Sequence, residues 1–99
     1  MIDLLPSHLE TVKKILANHI PELEVWVFGS RVRGTAKPHS DLDLAIITDR
    51  RLQFRRLATL REDFEESDLP IQVDLVDWAV TNEEFRKMIR DEKETMPRH

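Results

Sequence analysis

Several features that are common in other proteins are missing from this sequence. It contains no cysteine, which excludes disulfide bonds and metal sites built from thiolates. No apolar run approaches the roughly 20 residues that a membrane-spanning helix needs. Residues 1–6 lack the basic start and apolar stretch of a signal peptide. We therefore expect a cytoplasmic protein that makes no contact with a membrane.

Excess positive charge is also missing. Fifteen Lys and Arg against nineteen Asp and Glu give a formal net charge of -4. Affinity for a nucleic-acid backbone comes mainly from Lys and Arg, so we expect no direct binding of nucleic acid. Basic residues do cluster locally, within 31–37 and within 50–61. The first cluster is compatible with a small anion such as a triphosphate, and the second indicates a solvated helix face or a surface for an acidic partner.

The chain of 99 residues, 40% hydrophobic and 34% charged, has the size and composition of one globular domain. We expect residues 1–99 to form a single domain. A domain this small buries a limited fraction of its surface, so a large acceptor substrate would have to be held partly by another protein.

The hydrophobic pattern predicts helices and strands in the order helix, strand, strand, helix, strand, helix. Ser7 and Glu10 fit a capping box that opens the first helix, which Pro21 stops. The predicted strands are 25–28, 42–47 and 71–76, and the predicted helices after the first are 52–67 and one that opens at Thr81. This order indicates an α/β fold with a small sheet, of about three strands or slightly more, covered by helices on at least one face.

Two further expectations concern particular residues of these elements. Phe54, Leu57, Ala58 and Phe64 are among the expected inward residues of the second long helix. The polar tail from Asp91 onward is expected to fray.

The most unusual feature of the sequence is the position of its acidic residues. Asp41 and Asp43 flank Leu42 at the start of a predicted strand, so their side chains share one face and Leu42 enters the other. Their Cα atoms should lie about 6 to 7 Å apart. Asp74 lies inside the third predicted strand, where apolar residues are expected. If that strand neighbours the second, the spacing of roughly 4.8 Å between strands brings Asp74 to the same place.

Three converging carboxylates would repel one another unless a cation neutralised them. Oxygen ligands without histidine or cysteine favour Mg²⁺ or Mn²⁺ over zinc, and two such ions could activate an attacking oxygen and stabilise a leaving pyrophosphate. A single aspartate at a strand end is more often only a solvated carboxylate. Asp77 is an alternative third ligand, but it faces away from Asp74 and is interpreted as a strand-end or capping residue.

A second element of the expected site lies a short loop before the acids. Gly29 and Ser30 directly follow the first predicted strand. A glycine there allows backbone amides to approach a phosphate closely, and a serine hydroxyl adds a donor. Arg31 and Arg33 follow, and a guanidinium pairs well with phosphate, although a solvated loop or an ion pair with the carboxylates would explain them equally well.

Together these residues resemble a known family. Gly29-Ser-Arg-Val-Arg-Gly34, then Ser40-Asp-Leu-Asp-Leu44, then the strand acid Asp74 resemble the nucleotidyltransferases of the polymerase-β superfamily. In them a Gly-Ser motif precedes an Asp-x-Asp pair, and a third acid follows on a later strand. The small size resembles the minimal nucleotidyltransferases, called MNT proteins, many of which are paired with a helical HEPN protein in toxin–antitoxin systems.

The resemblance implies a role for each matched position. Gly29, Ser30, Arg31 and Ser40 would bind the nucleotide. Asp41, Asp43 and Asp74 would be the catalytic residues and the ligands of two Mg²⁺ or Mn²⁺ ions. The implied reaction is transfer of AMP from ATP to a tyrosine of a HEPN toxin, which silences its RNase activity, so a hetero-oligomer with that toxin is implied as well.

Two other readings remain open at this point. The acceptor could be a small hydroxylated molecule, although enzymes of that kind usually need a further domain to bind it. Alternatively, the chain could be a non-catalytic antitoxin that neutralises its partner by binding alone, an idea that the acidic residues argue against.

Overall fold

The computed structural model describes residues 1–99 and contains one four-stranded sheet between helices. The helices are α1 (Pro6–His19), α2 (Ser30–Arg33), α3 (Phe54–Glu66) and α4 (Glu83–Glu92). The strands are β1 (Glu24–Phe28), β2 (Leu42–Ile47), β3 (Val73–Asp77) and β4 (Glu94–Thr95), and Trp78–Val80 form a 3-10 turn. The α/β class predicted from the sequence is confirmed, with one strand more than the pattern revealed.

The sheet is mixed, with the strand order β3-β2-β1-β4. β1 pairs antiparallel with both β2 and β4, whereas β2 and β3 are parallel. Parallel neighbours need a long crossover, and α3 provides it between β2 and β3. The end of β1 and the beginnings of β2 and β3 therefore meet at one edge of the sheet.

The strands alternate their side chains between two apolar layers. On one face, α1 and α3 pack on the sheet around a core that contains Leu16, Leu44 and Leu60, all fully buried. On the other face, α4 covers a smaller cluster built around Phe28, Ala45 and Ile89. This second face is only partly covered, and Asp43 lies on it because it alternates in step with Ala45.

The predicted caps of α1 and α4 are wrong in detail. α1 begins at Pro6, and its N-cap Leu5 makes no side-chain cap; proline suits a first helical position because its missing N–H has no partner there anyway. Before α4 the cap is Asn82, whose side chain accepts from the Phe85 amide, rather than Thr81. Thr81 instead donates its hydroxyl to the Asp77 carbonyl at 2.7 Å.

Two packing expectations are also wrong. Phe54 is 87% exposed at the start of α3, while Leu60 is fully buried. The tail after α4 does not fray in this structure, because β4 pairs with β1 and Met96 enters the main core at 3% exposure. The Met96 amide donates to the Val25 carbonyl at 2.8 Å and extends this pairing.

None of the helices has both the length and the apolar character that crossing a membrane requires.

Candidate active site

The strand register brings the predicted acidic residues to the same edge of the sheet. Asp43 of β2 and Asp74 of β3 are direct partners in the parallel ladder, so their side chains project from the same face. Asp41 directly precedes β2 and is exposed. The adjacency that the sequence predicted only on condition that the two strands were neighbours is therefore present.

Ionisation of two carboxyl groups is disfavoured within this acidic cluster (Asp41, Asp43 and Asp74). The pKa of Asp43 is raised to about 6, first by desolvation and then by the negative charges of Asp74 and Asp41. The pKa of Asp41 is also raised, by desolvation and by the charge and hydrogen bonding of Asp74, even though Asp41 is exposed. The ionised carboxylates therefore repel one another, and a cation bound between them would relieve that repulsion.

Gly29 is fitted closely against this cluster. Its φ of 82° lies in the region that favours glycine. Phe28 pairs with Asp43 across β1 and β2, which places the next residue beside the Asp43 carboxylate. A Cβ on Gly29 would overlap Asp43 Oδ2. Both the backbone conformation and the close approach therefore require glycine at this position.

The structure adds Glu92 to the site and places Arg33 beside it. Glu92, the last residue of α4, accepts a hydrogen bond from the Gly29 amide at 2.8 Å. It also accepts from Arg33 Nη1 at 3.3 Å. Both residues act on Asp43, because the Arg33 charge lowers its pKa and the Glu92 charge raises it. Arg33 was among the residues that the sequence suggested for phosphate, whereas nothing local in the sequence marked Glu92.

Arg31 has a different environment from the one expected of a phosphate ligand. It is only 7% exposed. Its guanidinium donates five hydrogen bonds to main-chain carbonyls, and the acceptors are Asp3, Lys37, Pro38 and Ser40. These bonds use the donors that would bind a phosphate, so the structure favours a structural role: Arg31 fixes the loop that leads to Asp41.

The two serines proposed for the nucleotide respectively follow Gly29 and precede Asp41 directly in the sequence. Ser30 opens α2 directly after Gly29, and its carbonyl accepts from the Thr35 amide at 3.3 Å. The Ser40 hydroxyl accepts from the Lys37 amide at 2.8 Å, which closes the turn before Asp41. As the structure stands, Ser40 therefore shapes the loop, and its contact with a nucleotide stays a prediction.

Asp77 has the capping role that the sequence suggested. It is 8% exposed at the end of β3. Its carboxylate accepts from the Thr48 hydroxyl at 2.5 Å and the Leu52 amide at 2.7 Å, and it caps the 3-10 turn through the Ala79 amide. A carboxylate this fully occupied with donors is not placed to complete the acidic cluster.

The acidic cluster fits a hard divalent cation by its chemistry, although its side chains are not gathered into a closed ligand set. No three acidic or histidine side chains of the chain lie close enough together to enclose an ion. Asp41, Asp43 and Asp74 nevertheless offer only oxygen donors, the kind that Mg²⁺ and Mn²⁺ prefer. Their mutual repulsion, visible in the raised pKa values of Asp41 and Asp43, is what a cation would relieve.

An open groove lies next to Asp74, with a volume of about 500 Å³. It runs between the outer edge of β3 and α3. Leu69, Ile71 and Leu75 supply apolar lining, and Arg61 lies at its side. Asp74 is one of its lining residues.

Comparison with known proteins identifies the class of enzyme to which this fold belongs. The family model described as "Polymerase beta, Nucleotidyltransferase" matches residues 10–96. The chain therefore belongs to the polymerase-β nucleotidyltransferase family, and an enzyme of that class uses a nucleotide substrate and a divalent metal.

Particular relatives narrow this class. The chain is 53% identical over 89 residues to a "Probable protein adenylyltransferase MntA" of Haemophilus influenzae, which covers 90% of this chain and 78% of that one. It is 37% identical over 75 residues to the "Protein adenylyltransferase MntA" of Thermococcus cleftensis, and the match covers 69% of this chain and 75% of that one. Among solved structures it is similar to a toxin–antitoxin crystallised with AMP-PNP, with a TM-score of 0.73 and 26% sequence identity. That match covers 89% of this chain and 71% of the other.

Proposed function

We propose that this chain transfers AMP from ATP to a tyrosine hydroxyl of a HEPN-family partner and thereby acts as the antitoxin of that partner. The observation that carries the proposal is the pairing of Asp43 with Asp74 across β2 and β3, against a glycine that has no room for a side chain. We propose the cytoplasm as the place of action and residues 1–99 as one transferase domain.

The reaction that fits the site is an in-line displacement. The oxygen of the acceptor hydroxyl attacks the α-phosphorus of ATP, the bond from that phosphorus to the bridging oxygen breaks, and pyrophosphate leaves. Asp74, the third acid of the cluster, accepts the proton of the attacking hydroxyl. One Asp74 oxygen is held by Gln72 Nε2 at 3.3 Å, which orients the carboxylate.

Other residues of the chain bind and orient the triphosphate. Gly29 permits the close approach of the phosphates because it lacks a Cβ. Arg33, whose side chain is half-exposed beside Asp43, replaces Arg31 as the guanidinium that contacts phosphate. Asp41, Asp43 and Asp74 would hold two Mg²⁺ or Mn²⁺ ions, which when bound neutralise the carboxylates and polarise the phosphate oxygens.

Two observations support a protein as the acceptor. The relative that is 53% identical is named a protein adenylyltransferase, and the similar solved structure is a toxin–antitoxin with AMP-PNP. The family resemblance makes a HEPN protein the specific partner that we propose.

The proposal is tested by intact-mass spectrometry of the co-expressed HEPN partner after incubation with ATP and Mg²⁺. We expect the partner to gain one or more AMP masses with the wild-type chain and none with Asp43→Asn. A matched control is Asp49→Asn, an exposed aspartate outside the acidic cluster, which should behave as wild type. A complex that forms tightly without any gain in mass would indicate an antitoxin that acts by binding alone. Modification of a small hydroxylated molecule by the isolated chain would indicate the other alternative.

A further inference from the structure

The Glu92 carboxylate accepts hydrogen bonds from two groups that are proposed to bind the phosphates of the nucleotide. It accepts from the Gly29 amide at 2.8 Å and from Arg33 Nη1 at 3.3 Å. A carboxylate and a phosphate oxygen are both acceptors for these groups. Glu92 therefore accepts at the Gly29 amide in the way that a phosphate oxygen would.

Apart from the hydrogen bonds from Gly29 and Arg33, the surroundings of Glu92 disfavour a negative charge. It ends α4, where the helix dipole disfavours negative charge. It also acts on Asp43 as a like charge, since it contributes to the raised pKa of that residue. Its side chain is nonetheless only 18% exposed. The contacts with Gly29 and Arg33 are thus what keeps the carboxylate there.

We propose that Glu92 blocks the phosphate-binding donors, and that nucleotide binding requires it to release the Gly29 amide. We call the hydrogen bonds from Gly29 and Arg33 to Glu92 the latch. This inference rests on the proposed nucleotide site. Because the phosphate and Glu92 compete for the same N–H, the measured affinity for the nucleotide is lowered by the fraction of molecules in which the latch is closed.

The surrounding structure indicates how the latch opens. Only Lys93 separates α4 from β4, and β4 is paired with β1 through Trp26 and Val27. Lys93 itself lies over the Trp26 ring, 4.3 Å from its centroid. These contacts fix the backbone on the C-terminal side of Glu92, so release occurs by rotation of the Glu92 side chain and not by withdrawal of the helix.

Equilibrium binding of a non-hydrolysable ATP analogue to the full-length chain in Mg²⁺ tests this inference. The variants are Glu92→Ala, which removes the acceptor, and Glu92→Asp, which keeps the charge on a side chain one methylene shorter. The control is Asp91→Ala, an exposed acid next to it on the same helix. Thermal melting of each variant verifies folding, and the conservative Glu92→Asp serves if Glu92→Ala does not fold.

We expect both Glu92 variants to bind the analogue at least about threefold more tightly than wild type, on the scale of one net hydrogen bond, while Asp91→Ala does not. Tighter binding by Glu92→Ala alone would overturn the latch, because loss of charge repulsion would then explain it. Unchanged or weaker binding by both variants would overturn it as well, and weaker binding would make Glu92 a ligand of the bound state.

The same experiment separates the two proposals. If wild type binds the analogue and the Glu92 variants bind it equally well, only the latch fails. If neither wild type nor any variant binds it, the nucleotide site fails and the latch with it. Binding by the Glu92 variants where wild type shows none would support both.

Discussion

Asp43 is the residue on which the electrostatic balance of the site depends. It is flanked by Asp74 and Asp41, and its pKa is raised from 3.8 to about 6. A folded state that holds a proton more tightly than the unfolded state loses stability as the pH rises. The loss therefore occurs between about pH 4 and pH 6, and the charged cluster destabilises the metal-free fold above that range.

We predict that Asp43→Asn is more stable than wild type at pH 7 without divalent metal, by about 1 kcal/mol, because solvent screens part of the repulsion at this half-exposed group. The gain should fade below pH 4, where wild type is protonated. Chemical denaturation across this pH range measures it, and Asp49→Asn is the matched control. Equal stability of wild type and Asp43→Asn at every pH would mean that the carboxylates do not repel as described.

Substitutions of the two arginines of α2 should have different effects, one on stability and the other on nucleotide binding. Arg31 is buried with five hydrogen bonds to carbonyls, whereas Arg33 is half-exposed beside Glu92. We predict that Arg31→Lys lowers stability by about 2 kcal/mol, since lysine cannot make the same set of bonds. We predict that Arg33→Gln leaves the melting temperature almost unchanged and raises the KM for ATP several-fold.

Melting curves and ATP titrations of both variants test this division. A fully stable Arg31→Lys that no longer binds nucleotide would restore Arg31 as a phosphate ligand and contradict the role assigned from its contacts.

The residue-level site was predictable where its signal was local. Asp41 and Asp43 alternate around a buried leucine, and Asp74 interrupts an apolar run, so the strand periodicity alone orients them. Glu92 was not predictable, because its contact with Gly29 joins residues far apart in the chain. Arg31 and Arg33 could not be told apart, since the orientation of a four-residue helix depends on what packs around it.

At the scale of elements, the sequence predicted the long segments and missed the short one. β2 matches its predicted bounds of 42–47 because its apolar alternation is strong. β4 has two polar residues, which is too short for any period to show, and it forms because β1 offers an open edge. Phe54 was misplaced because it lies about 120° around the helix axis from the buried Leu60, at 100° per residue.

The C-terminal segment should contribute to stability in proportion to its burial. Met96 is 3% exposed in the main core, and removing a buried methionine side chain costs about 2 to 5 kcal/mol. We predict that Met96→Ala lowers the melting temperature by about 10 °C or more. Met88→Ala, at a 38% exposed position of α4, is the matched control and should have a small effect. Similar melting of the two variants would mean that the tail frays after all.

At the scale of the whole molecule, the sheet, the acidic cluster and the family membership agree on one type of chemistry. The family model covers residues 10–96, which include every element except the first residues of α1. The proposal that the acceptor is a partner protein rests on the relative named a protein adenylyltransferase and on the similar toxin–antitoxin structure. The proposed reaction rests on Asp41, Asp43 and Asp74.

The most direct test of that reaction is the product released from ATP by the complex of the chain with its HEPN partner in Mg²⁺. We predict pyrophosphate, in equal amount to the AMP found on the partner, with release abolished by Asp43→Asn and unchanged by Asp49→Asn. Release of ADP and inorganic phosphate, or undiminished pyrophosphate from Asp43→Asn, would contradict nucleotidyl transfer at the acidic cluster.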